Sequence, residues 1–261
     1  MAEIAYEDVG QSDAPVALFI HGYPQSSYMW RHILPVVAEA SWRGVAPDMP
    51  GFGNSPPFLR RTWERHVAAI ETFCSELGLD RVVLVAHDWG GLSGLRWACE
   101  HPKRIRALVL SNTNFFPDYE WHELARLLRT EGAGEEFLAG VTREDLADNL
   151  AALSTGIGPD AVDEYFKAYA DEERRRTQLE LFRSVDLEQL GRYQSRLQAL
   201  DVPALIFWGA QDPFIEVDIA ERFHEHLPGS TLSIVDEAGH FVFEDAPERA
   251  AREITGFLAR L

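Results

Sequence analysis

Asp88, Asp212 and His240 are the residues of this chain whose types and settings could make and then break a bond to carbon. Asp88 lies within Val82-Val83-Leu84-Val85-Ala86-His87-Asp88-Trp89-Gly90-Gly91. Four apolar residues, three of them β-branched, predict a short buried strand ahead of it. Leu92, Leu95, Ala98 and Cys99 recur at helical spacing behind it. Ala86 and Gly90 are small where a sharp strand–turn–helix bend has no room, which is the pattern of a nucleophile elbow. A carboxylate at that bend attacks a saturated carbon, displaces an oxygen or a halide, and becomes the acyl part of an ester. Water must then attack the aspartyl carbonyl, so a histidine base and oxyanion donors are also required. The plain alternative is a helix-capping aspartate, and the rest of the chain decides between the two.

Two later loops supply the missing groups. Gly209-Ala210-Gln211-Asp212-Pro213 follows the apolar run Pro203 to Trp208, and Asp236-Glu237-Ala238-Gly239-His240-Phe241 follows Leu232 to Val235. Taken singly, Asp212 reads as an Asp-Pro turn former and His240 as an ordinary histidine. Taken together, three such residues past three strand ends, in the order nucleophile, acid, histidine, form a triad. Catalytic groups gather at the carboxyl ends of strands in parallel sheets.

The elements that must position these residues alternate. Strands are predicted at Ile4 to Val9, Val16 to Ile20, Val45 to Asp48, the elbow strand, and Ala107 to Leu110. A helix is predicted over His66 to Leu77, closed near Gly78. From about Thr113 to Leu197 no apolar strand appears. Helical patterns do, at Trp121 to Leu128, Asp145 to Leu153, Ala161 to Tyr169 and Arg175 to Phe182. Two strands and a helix from Pro247 to Leu258 complete the chain. The expected fold class is α/β, a mostly parallel doubly wound sheet with an inserted helical cap. The core takes 1–113 and 197–261, and the cap takes 114–196.

The 261 residues, 46% hydrophobic, suffice for one large domain with an insertion. A formal net charge of −18 disfavours nucleic acid and anionic membranes. Cys74 and Cys99 offer neither a disulfide framework nor a metal spacing. Met1-Ala2-Glu3-Ile4 shows no basic segment with an apolar run, so no signal peptide and a cytoplasmic location are expected. No run is long enough to span a bilayer.

The chain resembles the α/β-hydrolases of the epoxide hydrolase and haloalkane dehalogenase group, over essentially its full length. The motifs that carry the resemblance are His21-Gly22-Tyr23-Pro24, Gly51-Phe52-Gly53-Asn54-Ser55, His87-Asp88-Trp89-Gly90-Gly91, Gly209-Ala210-Gln211-Asp212-Pro213 and Gly239-His240-Phe241. The resemblance implies an alkyl ester on Asp88, water activated by His240 and oriented by Asp212, and an oxyanion hole from the backbone N–H groups of Tyr23 and Trp89. It implies no cofactor and no metal.

Within that group, an aromatic residue at Tyr23 matches epoxide hydrolases, whereas dehalogenases usually carry Asn or Glu there to help bind halide. Epoxide opening, with the leaving alkoxide protonated by a cap tyrosine, is therefore the first expectation. Phe182 stands where the second such tyrosine is expected, so one of Tyr119, Tyr165, Tyr169 or Tyr193 must serve, and Tyr119 is chosen at the cap entrance. The alternative is a haloalkane dehalogenase with Trp89 as halide donor, to which the spacing around Leu128-Arg129-Thr130-Glu131-Gly132 also points. A noncatalytic binding protein of the same fold is the remote alternative. The expected partners are a small apolar epoxide or haloalkane and water, with a homodimer left open.

Other features read as structural. His87 packs beneath the elbow, and His224 and His226 are too close in sequence to share a helix face for metal binding. Asp171 to Arg176 is a solvated cap face. Gly51-Phe52-Gly53 lacks a dinucleotide-binding spacing.

Overall fold

A computed structural model describes residues 4–261. Met1 to Glu3, on which the expectation of no signal peptide falls, lie outside the described residues. Seven strands form one sheet: β1 (Tyr6–Val9), β2 (Val16–Ile20), β3 (Arg43–Pro47), β4 (Val82–His87), β5 (Ile105–Ser111), β6 (Ala204–Gly209) and β7 (Thr231–Val235). Their spatial order is β1-β3-β2-β4-β5-β6-β7. Only β1 runs antiparallel, against β3. The chain order reverses between β2 and β4, next to the elbow. Crevices at such a reversal, outside the carboxyl ends of the strands, are where ligands bind in open α/β sheets.

The apolar runs become central strands because both of their faces are covered. Every residue of β4 and β6 is buried. Phe19 and Val85 are register partners, so alternation puts Leu84 on the other face. Leu34, of helix Leu34–Glu39, packs over Gly44 and Phe19 on the first face, and Gly94, of helix Trp89–Glu100, packs over Leu84 on the second. The sheet is therefore wound on both sides, as a parallel sheet of β-branched strands requires.

The strand β2 and the helix Pro247–Leu258 have the predicted bounds. Elsewhere the edges move. β1 begins at Tyr6 rather than Ile4. The helix predicted from His66 begins at Trp63, whose side chain is buried, and ends before Gly78, at a φ of 65°. Between β5 and β6 the described chain is helical, with no strand. Helices Arg143–Leu153 and Glu172–Ser184 start earlier than predicted because Thr142 and Asp171 cap them by accepting backbone N–H groups. Helix Ala133–Gly140 and the 3-10 turn Leu187–Tyr193 were not among the predicted elements.

This helical segment is tied to the loop after β7. Asp245 accepts from the Ser154 hydroxyl at 2.6 Å and from the Thr155 N–H at 3.0 Å. It also accepts from the Gly239 N–H at 3.1 Å, one residue before His240. Glu244, buried, takes the Arg31 guanidinium at 2.7 Å and the Tyr165 hydroxyl. Two adjacent carboxylates thus join the helices above the sheet to the loop that carries His240.

Candidate active site

Asp88 stands at the junction of β4 and helix Trp89–Glu100 with φ 50° and ψ −120°. A non-glycine residue at that angle is strained, by about 1–3 kcal/mol, and persists only where its surroundings force it. Three small residues leave the space. A Cβ on Gly90 would lie 2.2 Å from the Ile20 carbonyl oxygen, and one on Gly22 would lie 2.6 Å from the Asp88 Cβ. Gly91 is equally closed, by Thr113 at 2.2 Å. Thr113 also donates its hydroxyl to the Asp88 carbonyl at 2.7 Å. The bend is therefore the sharp one expected from Ala86 and Gly90.

The two carboxylate oxygens of Asp88 have different neighbours. Oδ1 accepts the Tyr23 backbone N–H at 2.8 Å. The Trp89 backbone N–H is a second donor to the same carboxyl group. Oδ2 lies 3.6 Å from His240 Nε2. Oδ1 is thus held by an amide donor suited to an oxyanion, while Oδ2 faces the imidazole. The Tyr23-Pro24 peptide bond is cis.

His240 Nδ1 donates to Asp212 Oδ2 at 2.7 Å. The other oxygen of Asp212 accepts the N–H groups of Phe214 at 2.7 Å and Ile215 at 3.0 Å. Sequence reasoning missed the residue that completes this arrangement. Asn112, at φ 41°, donates from Nδ2 to Asp212 Oδ2 at 2.8 Å and accepts the Gly209 N–H at 3.1 Å. Its signal was a polar Ser-Asn pair closing an otherwise apolar strand. These bonds fix the imidazole so that Nε2 is the free nitrogen.

Burial works against a charged His240, but the charge and hydrogen bond of Asp212, with Asp88 behind, more than offset it, and its pKa lies above the usual histidine value. Burial pushes the Asp88 pKa up, against the pull of His240 and of the two amide donors. His87 is fully buried beside this pair, 4.9 Å between its ring and that of His240. Burial, with repulsion from His240, holds its pKa well below the usual value, so it stays neutral and packs as expected.

Above Asp88 lies a cavity of about 340 Å³, walled by Asp88, Trp89, His240 and by apolar groups such as Leu150, Phe182 and Phe214. That size suits a small organic ligand. A second chamber of about 30 Å³ meets Asp88 and Trp89 from the side of Tyr119, Trp121 and His122. Phe182 packs edge-on against Trp89 at 4.5 Å and Tyr23 at 5.1 Å.

The tyrosines considered for proton donation all have their hydroxyls engaged. Tyr119 donates to the Phe214 carbonyl at 2.9 Å. Tyr23 donates to Gln178 Oε1 at 2.7 Å, so the 3.0 Å contact between Tyr169 and Tyr23 is donated by Tyr169. Tyr165 binds Glu244, and Tyr193 binds Glu100 at 2.6 Å. Only Tyr23 and Tyr169 of these five line the larger cavity. Burial pushes the Tyr169 pKa up to about 12.

Among the described residues no cluster of side chains is arranged to hold a metal ion. His224 binds the Ser230 hydroxyl, and His226 binds the Arg222 carbonyl. No described helix is long and apolar enough to cross a membrane.

The model of the α/β-hydrolase fold family matches residues 15–247. A haloalkane dehalogenase of Mycobacterium marinum is 32% identical over 96% of this chain and 87% of the relative. A cis-3-alkyl-4-alkyloxetan-2-one decarboxylase of Xanthomonas campestris is 27% identical over 98% of this chain and 92% of its own length. The crystal structure of a haloalkane dehalogenase from Bradyrhizobium elkani superposes with a TM-score of 0.88 at 29% identity, covering 98% and 94% of the two chains. An aspartate at the elbow is typical of this group. The chain belongs to the α/β-hydrolase fold family, among relatives that include the haloalkane dehalogenases.

Proposed function

We propose that the protein hydrolyses small apolar haloalkanes to alcohols through an ester on Asp88, with residues 114–196 acting as the lid over the site. This is the alternative of the sequence reading, and it displaces epoxide opening as the first choice. One observation carries it: the candidate hydroxyls are all committed as donors, and Phe182 lines the cavity where the second tyrosine of an epoxide hydrolase is expected. An alkoxide leaving group needs an acid at once. A halide needs only oriented N–H donors and a dry pocket. The names of the relatives lean the same way.

The geometry supports the following steps. Asp88 Oδ2 attacks the carbon, the carbon–halogen bond breaks, and the electron pair leaves with the halide toward the Trp89 indole. The ester carbonyl oxygen is then Oδ1, already on the Tyr23 N–H. His240 Nε2 takes a proton from water, and the hydroxide adds to the ester carbonyl. The alcohol departs, Asp88 is restored, and the proton passes to solvent. The sum is haloalkane plus water to alcohol, halide and a proton.

A second reading keeps one observation in its favour. Tyr169 lines the cavity and heads the hydroxyl chain to Tyr23 and Gln178, so an epoxide bound there would meet a phenol. One panel separates the two: 1-bromobutane, styrene oxide and cyclohexene oxide, with bromide and diol measured. Bromide release without diol is expected. Diol without bromide would return the assignment to epoxide opening.

A further inference from the structure

We infer that His122 is a second N–H donor to the departing halide, paired with the Trp89 indole. This rests on the dehalogenase reading and adds to it a residue outside the triad, the elbow and the oxyanion donors.

The ring's orientation follows from its place in the chain. His122 caps helix Glu123–Arg129, and its Nδ1 accepts the Ala125 backbone N–H at 3.4 Å. An accepting Nδ1 leaves the proton of a neutral imidazole on Nε2. Burial, reinforced by the nearby His240, brings the ring's pKa down to about 4. At neutral pH it is therefore an uncharged donor. Phe214 packs against it at 4.7 Å and limits its rotation.

The ring also stands at the right boundary. His122, Asp88 and Trp89 together wall both the larger cavity and the small chamber. The small chamber, about 30 Å³, is the size of one or two waters. Two of its other polar side chains, Tyr119 and Asn114, are in use. Tyr119 donates to the Phe214 carbonyl, and the Asn114 amide closes on Phe116 in both directions. The Trp121 indole borders the small chamber and not the larger cavity. Tyr23 stands where the dehalogenases of the group usually carry Asn or Glu, and its hydroxyl points to Gln178. His122, which walls the same cavity as Asp88 and Trp89, supplies a donor there. As the carbon–halogen bond breaks, negative charge grows on the halogen, and an oriented donor in an apolar site stabilises it.

The test uses two substitutions at one position. His122→Asn keeps an oxygen able to cap Ala125 but is too short to reach the cavity. His122→Gln places an N–H near the position of Nε2. Single-turnover bromide, chloride and iodide release is measured with the matching 1-halobutanes, and halide binding is measured by tryptophan fluorescence. For His122→Asn the chlorobutane rate should fall about 10- to 100-fold. The iodobutane rate should fall much less, because iodide accepts hydrogen bonds weakly, and chloride binding should weaken. His122→Gln should recover most of the loss, with melting temperatures of both variants near that of the parent. Equal loss for chloride and iodide, or no loss with His122→Asn, overturns the role of His122. So does a loss that appears with Trp121→Phe and not with His122→Asn. If the parent protein releases no halide from any of the three substrates, the dehalogenase reading itself falls, and this inference with it.

Discussion

The carboxyl edge of the sheet and the helical segment above it are built to different standards. At the sheet edge each reactive group is held several times over. Asp88 is fixed by a strained backbone, a Thr113 bond and a Tyr23 amide. Asp212 has four donors, from His240, Asn112, Phe214 and Ile215. The helical segment borders the larger cavity and the small chamber through side chains whose polar ends are mostly turned elsewhere. Tyr169 faces Tyr23, Tyr119 faces a carbonyl, and Phe182 has no polar end at all. The difference teaches that the two halves of the reaction are specified separately. In the proposed reaction, the sheet edge would set ester formation and hydrolysis, and the helices above would set which leaving group is tolerated.

Removing the carboxylate should break the first region outright. Asp88→Gly is expected to lose turnover by about 10⁴-fold or more. It should also unfold no more easily than the parent, because glycine adopts φ 50° without strain. Loss of activity with a large fall in melting temperature would mean that Asp88 is structural.

Asp212→Asn should act next, through His240. The imidazole must be neutral to take the proton of water, so ester hydrolysis should fall as pH drops through its raised pKa. Asp212 raises that pKa, so the amide should shift the acidic limb to lower pH while reducing the plateau by about 10³- to 10⁴-fold. A limb that stays in place would assign the titration to another group.

The smallest effect should come from the upper region. Tyr169→Phe removes the hydroxyl that heads the chain to Tyr23. Bromide release from 1-bromobutane should stay within about threefold of the parent, since a halide needs no acid. A loss of 100-fold would make Tyr169 a proton donor and revive epoxide opening.

The sheet and the groups at its edge were legible because they rest on short-range signals. Continuous β-branched runs forecast buried strands, and the small residues Ala86 and Gly90 forecast the bend, where the structure leaves no room for a Cβ on Gly90. The order Asp88, Asp212, His240 placed three side chains past three strand ends, and the structure brings those side chains together. Asn112 was illegible because a polar residue after a strand looks like any turn, and its importance comes from a bond to Asp212, 100 residues away. His122 was illegible for a similar reason. Its sequence setting shows a residue before a helix, whereas its exposure to two cavities depends on how that helix sits above Asp88. The choice of Tyr119 rested on position alone, and the direction of its hydroxyl is a property of the packed loop around Phe214.

The most direct test of a covalent aspartyl ester is the mass of the His240→Gln protein after mixing with 1-bromobutane. With no base for the second step, one equivalent of bromide should appear, and the peptide containing Asp88 should gain one butyl group. Steady bromide release with Asp88 unmodified would contradict the account.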